Sequence, residues 1–153
     1  MDSSLERRLH DLDAPARERV VAAVRQVLAS DGRVVAAWLH GSFVRGGPFR
    51  DLDVAVLLAP GTARPAVAIE EIEHRIYENM PERGIEPDVK AIGDAALAFR
   101  GEAIRTGRRI YVRDVVVAVR FEVESLNLWF DYRPAWDRYH RALVADLRAR
   151  GAS

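Results

Sequence analysis

The stretch WLHGSFVRGGPFRDLDVAVLL, from Trp38 to Leu58, decides the fold. It predicts a strand, a turn at Gly41-Ser42, a short basic loop, and a second strand that carries Asp51 and Asp53 at its start. Side chains alternate between the faces of a strand, so these two carboxylates project from the same side. Adjacent carboxylates repel each other unless a cation neutralises them. Because Mg²⁺ is held by carboxylates together with substrate phosphates, and turn N–H groups can bind phosphate, the stretch predicts a metal-nucleotide site.

The composition limits the class of protein. The chain has 153 residues, and its 23 basic and 23 acidic residues cancel, so nothing in the charge calls for a polyanionic partner. It contains no cysteine, which excludes disulfides and thiolate metal sites and favours a reducing compartment. The amino-terminal sequence MDSSLERRLHDLD lacks the apolar segment of a secretory signal, and no apolar run approaches the roughly 20 residues of a membrane span. We therefore expect a soluble, cytoplasmic protein.

Helical and strand patterns alternate along the rest of the chain. In chain order we expect a helix capped by Asp13 that starts at Ala14-Pro15 and stops near Gly32, strands over Val34 to Leu39 and Leu52 to Leu58, a helix over Pro65 to Met80, a strand over Glu86 to Ile92, a helix over Ala95 to Thr106, a strand over Arg109 to Val112, and a helical segment over Asp114 to Arg150 that breaks at Arg133-Pro134. This order predicts the α/β (α+β) class, with a mixed sheet of about four strands packed with helices. We expect one domain over residues 1–153, with a core at about 14–112 and a C-terminal helical segment at about 114–150.

The central motif also carries a family resemblance. Gly41-Ser42, a short loop and then Asp51 to Val56 resemble the signature of the nucleotidyltransferases related to DNA polymerase β. Within that superfamily the chain is similar to the minimal nucleotidyltransferase (MNT) proteins, many of which are antitoxins encoded beside HEPN toxins. The similarity continues at Asp88-Val89 and covers roughly residues 30–145.

The chain differs from that pattern at two points. Eight residues separate Ser42 from Asp51, fewer than in many MNT antitoxins. Arg50 stands directly before the first aspartate, where the family often has serine. The shortened loop bears on how the base and the third phosphate are held, and it removes no metal ligand.

The resemblance assigns a role to each residue of the motif. Gly41-Ser42 would hold the triphosphate, with the glycine permitting a close approach of the backbone. Asp51 and Asp53 would ligate two Mg²⁺ ions, and Asp88 from the adjacent strand would complete the metal site and help to activate the attacking hydroxyl. Arg45 would add positive charge at the phosphates. Such a transfer requires little beyond in-line positioning and metal neutralisation of charge.

Alternatives remain open at several of these positions. An Asp-x-Asp pair alone is often a solvent-facing edge, but the apolar run Val54 to Leu58 favours a central strand, where uncompensated carboxylates are costly. Glu86 shares the predicted face of Asp88, and we favour Asp88. Lys90, two residues further on, faces the same side and is a second candidate phosphate contact. His40 is more often a packed side chain than a catalytic one.

The resemblance further implies a reaction and a partner. The expected reaction is the Mg²⁺-dependent transfer of AMP from ATP to a hydroxyl, with a tyrosine of a HEPN ribonuclease toxin as the expected acceptor. The chain would then be a protein adenylyltransferase and the antitoxin that silences that toxin. Two alternatives stand beside it: a small-molecule acceptor, as in antibiotic-modifying relatives, and a non-catalytic antitoxin that acts by binding alone. Five aromatic residues between Trp129 and Tyr139 suit a homo- or hetero-oligomeric interface.

Overall fold

The computed structural model describes residues 8–151. Within them the elements are α1 (Ala14–Ala29), β1 (Val34–His40), α2 (Ser42–Arg45), β2 (Asp51–Leu58), α3 (Pro65–Glu78), β3 (Glu86–Ala91), α4 (Leu97–Thr106), β4 (Arg108–Val112) and α5 (Val115–Gly151). Each strand differs from its expected bounds by one residue or less at either end. The short helix α2 is the element that brings the chain from β1 back into β2.

The four strands form one mixed sheet in the order β3-β2-β1-β4. Strand β1 is antiparallel to both β2 and β4, whereas β2 and β3 are parallel. The parallel pair arises because α3 crosses over between β2 and β3, as parallel strands require. The observed sheet confirms the expected α/β class with four strands.

Helices cover both faces of this sheet. Side chains of α1 and α3, among them Val24 and Ile72, pack on the face that carries Val54. The opposite face carries Trp38 of β1 and packs against α4 and α5 through residues such as Ala118. Both faces are therefore apolar at the centre, and polar side chains are accommodated where the strands begin or end.

The first helix begins as expected and ends early. The Asp13 carboxylate accepts a hydrogen bond of 2.9 Å from the N–H of Ala16, which confirms the cap. The helix ends at Ala29 instead of near Gly32, because the Ser30 hydroxyl donates to the carbonyl of Val27 and closes the last turn.

Asp31 joins α1 to α3 at the turn that follows α1. Its side chain is 4% exposed, and its Oδ2 accepts from Arg33 at 2.8 Å and from Arg75 of α3 at 2.9 Å. Arg75 also donates to the carbonyl of Val27 at the end of α1. Hydrogen bonding to the Arg33 guanidinium, opposed by burial, lowers the pKa of Asp31 to about 2.

Replacing Asp31 with Asn should lower the free energy of unfolding by about 2 kcal/mol near neutral pH, since two arginines lose their common carboxylate. The folded-state pKa lies below the ordinary value of 3.8, so this contribution is complete above about pH 4 and is lost as the pH falls towards about 2. Urea unfolding of both proteins at about pH 6 and about pH 3 measures the loss of stability and its decrease at low pH. The control Asp137→Asn removes an exposed pair with Arg133 and should cost under about 0.5 kcal/mol. An equal loss for Asp31→Asn at both pH values would contradict the account.

The last helix is continuous, which corrects the expected break at Arg133-Pro134. Helix α5 runs over 37 residues with Pro134 inside it. Pro134 has no N–H for the carbonyl of Phe130, but Phe130 is exposed, so solvent can take the place of the missing donor. The rule that proline breaks the interior of a helix fails here because this part of α5 is exposed to solvent. No helix within residues 8–151, α5 included, is both long and apolar enough to cross a membrane.

Helix α5 is fixed to the domain through a glycine. Trp129 is buried, and a Cβ added to Gly101 of α4 would lie 2.3 Å from its Cγ. Glycine in the middle of a helix costs roughly 1 kcal/mol relative to alanine, so its presence is explained by this close approach.

Gly101→Ala should therefore destabilise the protein by about 1–2 kcal/mol, although alanine is the better helix former. Thermal unfolding followed by far-UV circular dichroism measures the change. A double-mutant cycle with Trp129→Leu provides the control, because a smaller side chain leaves room for the methyl group and Gly101→Ala should then become neutral or stabilising. The same loss in both backgrounds would show that the overlap with Trp129 is not the cause.

Candidate active site

Asp51 and Asp53 lie on the same face at the start of β2. Both are half-buried, while Leu52 between them and Val54 after them are fully buried on the opposite face. The burial of these apolar neighbours sets the register of the strand and so fixes the side to which the two carboxylates point. The expected same-side placement is what the structure has.

Asp53 lies at the centre of a polar row across three strands. It pairs with Asp88 on the parallel neighbour β3 and with His40 on the antiparallel neighbour β1. Residues opposite each other on adjacent strands point to the same face and lie roughly 5 Å apart. The structure thus brings Asp88 next to the Asp51 and Asp53 pair. Glu86, the alternative to Asp88, pairs with Asp51 and is exposed.

The surroundings of Asp53 disfavour its negative charge. Burial raises the pKa of Asp53 above its ordinary value, and the charges of Asp88 and Asp51 act in the same direction. His40 and Lys90 oppose this shift. A cation placed among the three carboxylates would relieve the repulsion and favour the charged form.

Gly41 gives the backbone its close approach to Asp53. Its φ is +73°, in the left-handed region that favours glycine, and an added Cβ would lie 2.3 Å from Asp53 Oδ2. The turn after β1 therefore passes directly against the carboxylate that β2 presents. Any larger side chain at this position would displace one or the other.

Ser42 and Arg45 mark the two ends of α2. Ser42 is half-buried next to Gly41, while Arg45 is exposed and its side chain makes no hydrogen bond or ion pair with another residue in the described range 8–151. The structure brings Gly41 and Ser42 to the same edge of the sheet as Asp53. It leaves Arg45 on the solvent side of the loop.

Lys90 faces the same side as Asp88, as expected. Its Nζ lies 3.5 Å from Asp88 Oδ2 and 5.8 Å from the centre of the Phe99 ring on α4. His40 packs edge-on against the same ring, with 5.2 Å between the ring centres. Phe99 therefore forms an apolar wall beside the polar row. Burial lowers the pKa of His40, whose Nε2 is buried without a hydrogen-bond partner in the described structure.

The acidic residues fit a hard divalent cation by their chemistry. As placed, the side chains of residues 8–151 include no group of three or more His, Asp or Glu that could hold a metal ion. Asp51, Asp53 and Asp88 nevertheless offer only oxygen donors, and burial, reinforced by the charges of Asp88 and Asp51, raises the pKa of Asp53. Carboxylate oxygens are the ligands that Mg²⁺ takes in proteins. These three residues are the ones that would hold it.

Two neighbours of this site were missed by sequence reasoning. Phe99 carries no sequence signal, because an aromatic residue on a predicted helix is most simply a core residue. Arg17 on α1 donates hydrogen bonds to the carbonyl of Phe43 in α2 and to the carbonyl of Gly47 in the α2–β2 loop. A basic residue in the first turn of a helix opposes the helix dipole, and that is the signal that could have singled it out.

The fold is similar to chains in solved toxin–antitoxin complexes. A chain of a toxin–antitoxin structure with AMP-PNP gives a TM-score of 0.59 at 16% identity, covering 86% of this chain and 98% of that one. A chain of a MntA-HepT toxin–antitoxin structure gives 0.56 at 13%, covering 89% and 99%. A chain of the tri-AMPylated Shewanella oneidensis HEPN toxin in complex with MNT antitoxin gives 0.56 at 14%, covering 88% and 97%. At these identities the likeness shows the fold alone.

Sequence comparison gives the family. No curated protein sequence matches the chain. The family model described as "Polymerase beta, Nucleotidyltransferase" matches residues 23–115, which is more than half of the chain and contains all of Gly41, Ser42, Asp51, Asp53 and Asp88. The chain therefore belongs to the polymerase beta nucleotidyltransferase family.

Proposed function

We propose that this protein transfers AMP from ATP to a hydroxyl of a partner protein, in a reaction that depends on Mg²⁺. The proposed acceptor is a tyrosine of a HEPN-type toxin, which makes the protein an antitoxin. The observation that carries the proposal is the placement of three carboxylates in a chain of this family. Asp53 pairs with Asp88 on the neighbouring strand, and Asp51 lies two residues before Asp53 on β2. The solved neighbours add support, since they include toxin–antitoxin complexes, one with AMP-PNP and one with a tri-AMPylated toxin.

The proposed chemistry is a displacement at the α-phosphorus of ATP. The acceptor oxygen forms a bond to that phosphorus, the bond to the β-phosphate oxygen breaks, and pyrophosphate leaves. Mg²⁺ held by Asp51, Asp53 and Asp88 would neutralise charge on the phosphate oxygens. Asp88 is the half-buried carboxylate proposed to accept the hydroxyl proton, with Lys90 beside it at 3.5 Å. Gly41-Ser42 is the proposed backbone support for the triphosphate.

The proposed docking surface for the partner is the distal half of α5. The buried residues Ala118, Ser125 and Trp129 follow one another at intervals of seven and four residues. Further along α5, Trp136, Leu143 and Leu147 follow Trp129 at intervals of seven, seven and four residues, and all three are exposed. One helical stripe therefore runs from the folded domain into solvent. Tyr132 and Tyr139 lie beside it, which gives the surface the aromatic character of interface hot spots.

The double variant Trp136→Ser/Leu143→Ser should abolish co-purification with the HEPN-type protein encoded beside this chain. The matched control Arg138→Ser/Ala145→Ser changes positions two residues further on, on the opposite side of the same helix, and should leave the complex intact. Size-exclusion chromatography with light scattering measures the complex. If the chain alone dimerises, and the same double variant makes it monomeric, the stripe is instead a contact between two copies.

A toxicity assay in cells separates catalysis from binding. Co-expression of the adjacent HEPN-type protein with the wild type should restore growth, and co-expression with Asp51→Asn/Asp53→Asn should not. Full rescue by that variant would overturn the catalytic account and support neutralisation by binding alone.

We propose that the reaction takes place in the cytoplasm and that residues 1–153 act as one nucleotidyltransferase domain.

A further inference from the structure

Arg17 occupies an unfavourable place on α1 and makes an unusual set of contacts. It is the fourth residue of the helix, where a positive charge opposes the helix dipole. Its Nε donates to the carbonyl of Leu12 at 3.1 Å, its Nη1 to the carbonyl of Phe43 at 2.7 Å, and its Nη2 to the carbonyl of Gly47. Three carbonyls in two separate segments are thus held by one side chain.

The same guanidinium lies against two aromatic rings. It is 5.0 Å from the centre of Phe43 and 5.2 Å from the centre of Phe49, and these rings meet edge-on at 4.9 Å. Both rings are buried. Phe43 follows Ser42 directly, and Phe49 comes two residues before Asp51. Arg17 therefore contacts the loop near both of its ends, at Phe43 and at Phe49. This loop joins the proposed phosphate support to the proposed metal ligands.

Two backbone hydrogen bonds with His10 hold Phe49 near the end of this loop, whereas the glycines in its middle have few contacts. Gly46 and Gly47 have φ values of +82° and +74°, and a Cβ added at either would meet no atom within 4 Å. Glycines lose more conformational freedom than other residues when they are fixed, so an ordered turn of this kind needs anchoring contacts. The hydrogen bond from Arg17 to Gly47 is such an anchor.

We infer that Arg17 is a positioning residue that keeps the loop from Gly41 to Asp51 in the conformation that binds Mg²⁺-ATP. The inference rests on the proposed function, because it assigns the role of this loop to nucleotide binding. Lysine cannot substitute, since a single ammonium group has no planar fork to bond three carbonyls while it lies between two rings. Arg17 acts through the loop and need not touch the nucleotide.

Titration of Mg²⁺-AMP-PNP by calorimetry tests the inference with Arg17→Lys and Arg17→Met. Both variants should bind at least about tenfold more weakly than the wild type, because the loop is no longer preorganised. The control Arg19→Met removes an exposed arginine of the same helix, paired with Glu82 at 3.5 Å, and should bind as the wild type does. Hydrogen exchange of the 41–51 segment should accelerate in Arg17→Lys while exchange in α3 stays unchanged, a local effect that general destabilisation would not give.

The outcomes separate the inference from the function on which it rests. Wild-type affinity in Arg17→Lys, or exchange that accelerates equally throughout the protein, would overturn the inference and leave the proposed function standing. Failure of the wild type to bind Mg²⁺-AMP-PNP would remove both. If Arg17→Met does not fold, Arg17→Lys carries the test, since it keeps the charge and much of the packing.

Discussion

Asp53→Asn should reduce AMP transfer by about 1,000-fold or more, because removing one carboxylate from the proposed metal site forfeits several kcal/mol of charge stabilisation in the transition state. The fold should not suffer. Burial and the neighbouring Asp88 and Asp51 raise the pKa of Asp53, so the charged carboxylate destabilises the folded state near neutral pH. A neutral amide of the same shape removes that repulsion, and thermal stability should stay equal or rise.

The measurement is the rate of AMP incorporation from labelled ATP, beside a melting curve of each protein. Asp94→Asn is the control: Asp94 is exposed and lines a cavity at the other end of β2, with Leu57 and Leu58, so transfer should be unaffected. Retention of more than about a tenth of the wild-type rate in Asp53→Asn would refute a metal-ligand role. A drop in stability that accompanies the loss of activity would instead show that Asp53 is needed for folding.

Gly41→Ala should have the second largest effect, a fall in transfer of roughly 100-fold, because a displacement of about 1 Å at a catalytic group costs that much. The added Cβ would lie 2.3 Å from Asp53 Oδ2, and φ of +73° is strained for any residue with a side chain. Either the turn or the carboxylate must move. Steady-state kinetics should show a fall in kcat where the Asp53 carboxylate moves, together with a rise in KM for ATP where the turn moves.

Gly61→Ala is the control that measures the cost of backbone strain at a positive φ without a steric overlap. Gly61 has φ of +76°, but its added Cβ would meet nothing within 4 Å, and it lies at the far end of β2. This variant should cost about 1 kcal/mol of stability through strain alone and leave kcat unchanged. Equal effects of the two substitutions on kcat would mean that the contact between Gly41 and Asp53 has no part in activity.

Local signals in the sequence were sufficient for much of this architecture. The alternation of β2 placed Asp51 and Asp53 on one side, and the Asp13 cap located the start of α1. Both depend on residues close together in the chain, where spacing and side-chain chemistry decide the outcome. The strand bounds followed for the same reason.

Contacts between distant residues could not be obtained in that way. The register that sets Asp53 opposite Asp88 depends on how α3 packs, and the closeness of Gly101 to Trp129 joins positions in two different helices. Arg17 reaches carbonyls in a loop well beyond its own helix. At Pro134 a rule based on local sequence gave a wrong prediction. Proline usually breaks the interior of a helix, but here solvent can satisfy the carbonyl that loses its N–H partner.

The central claim is protein nucleotidylylation, and intact mass spectrometry tests it most directly. The HEPN-type protein encoded beside this chain would be co-expressed with the wild type and, separately, with Asp51→Asn/Asp53→Asn. The account expects a gain of one or more AMP units on the partner with the wild type only, with tandem spectra locating the label on a tyrosine. A partner of unchanged mass that still co-purifies with the wild type would contradict the account, and it would leave a binding antitoxin in its place.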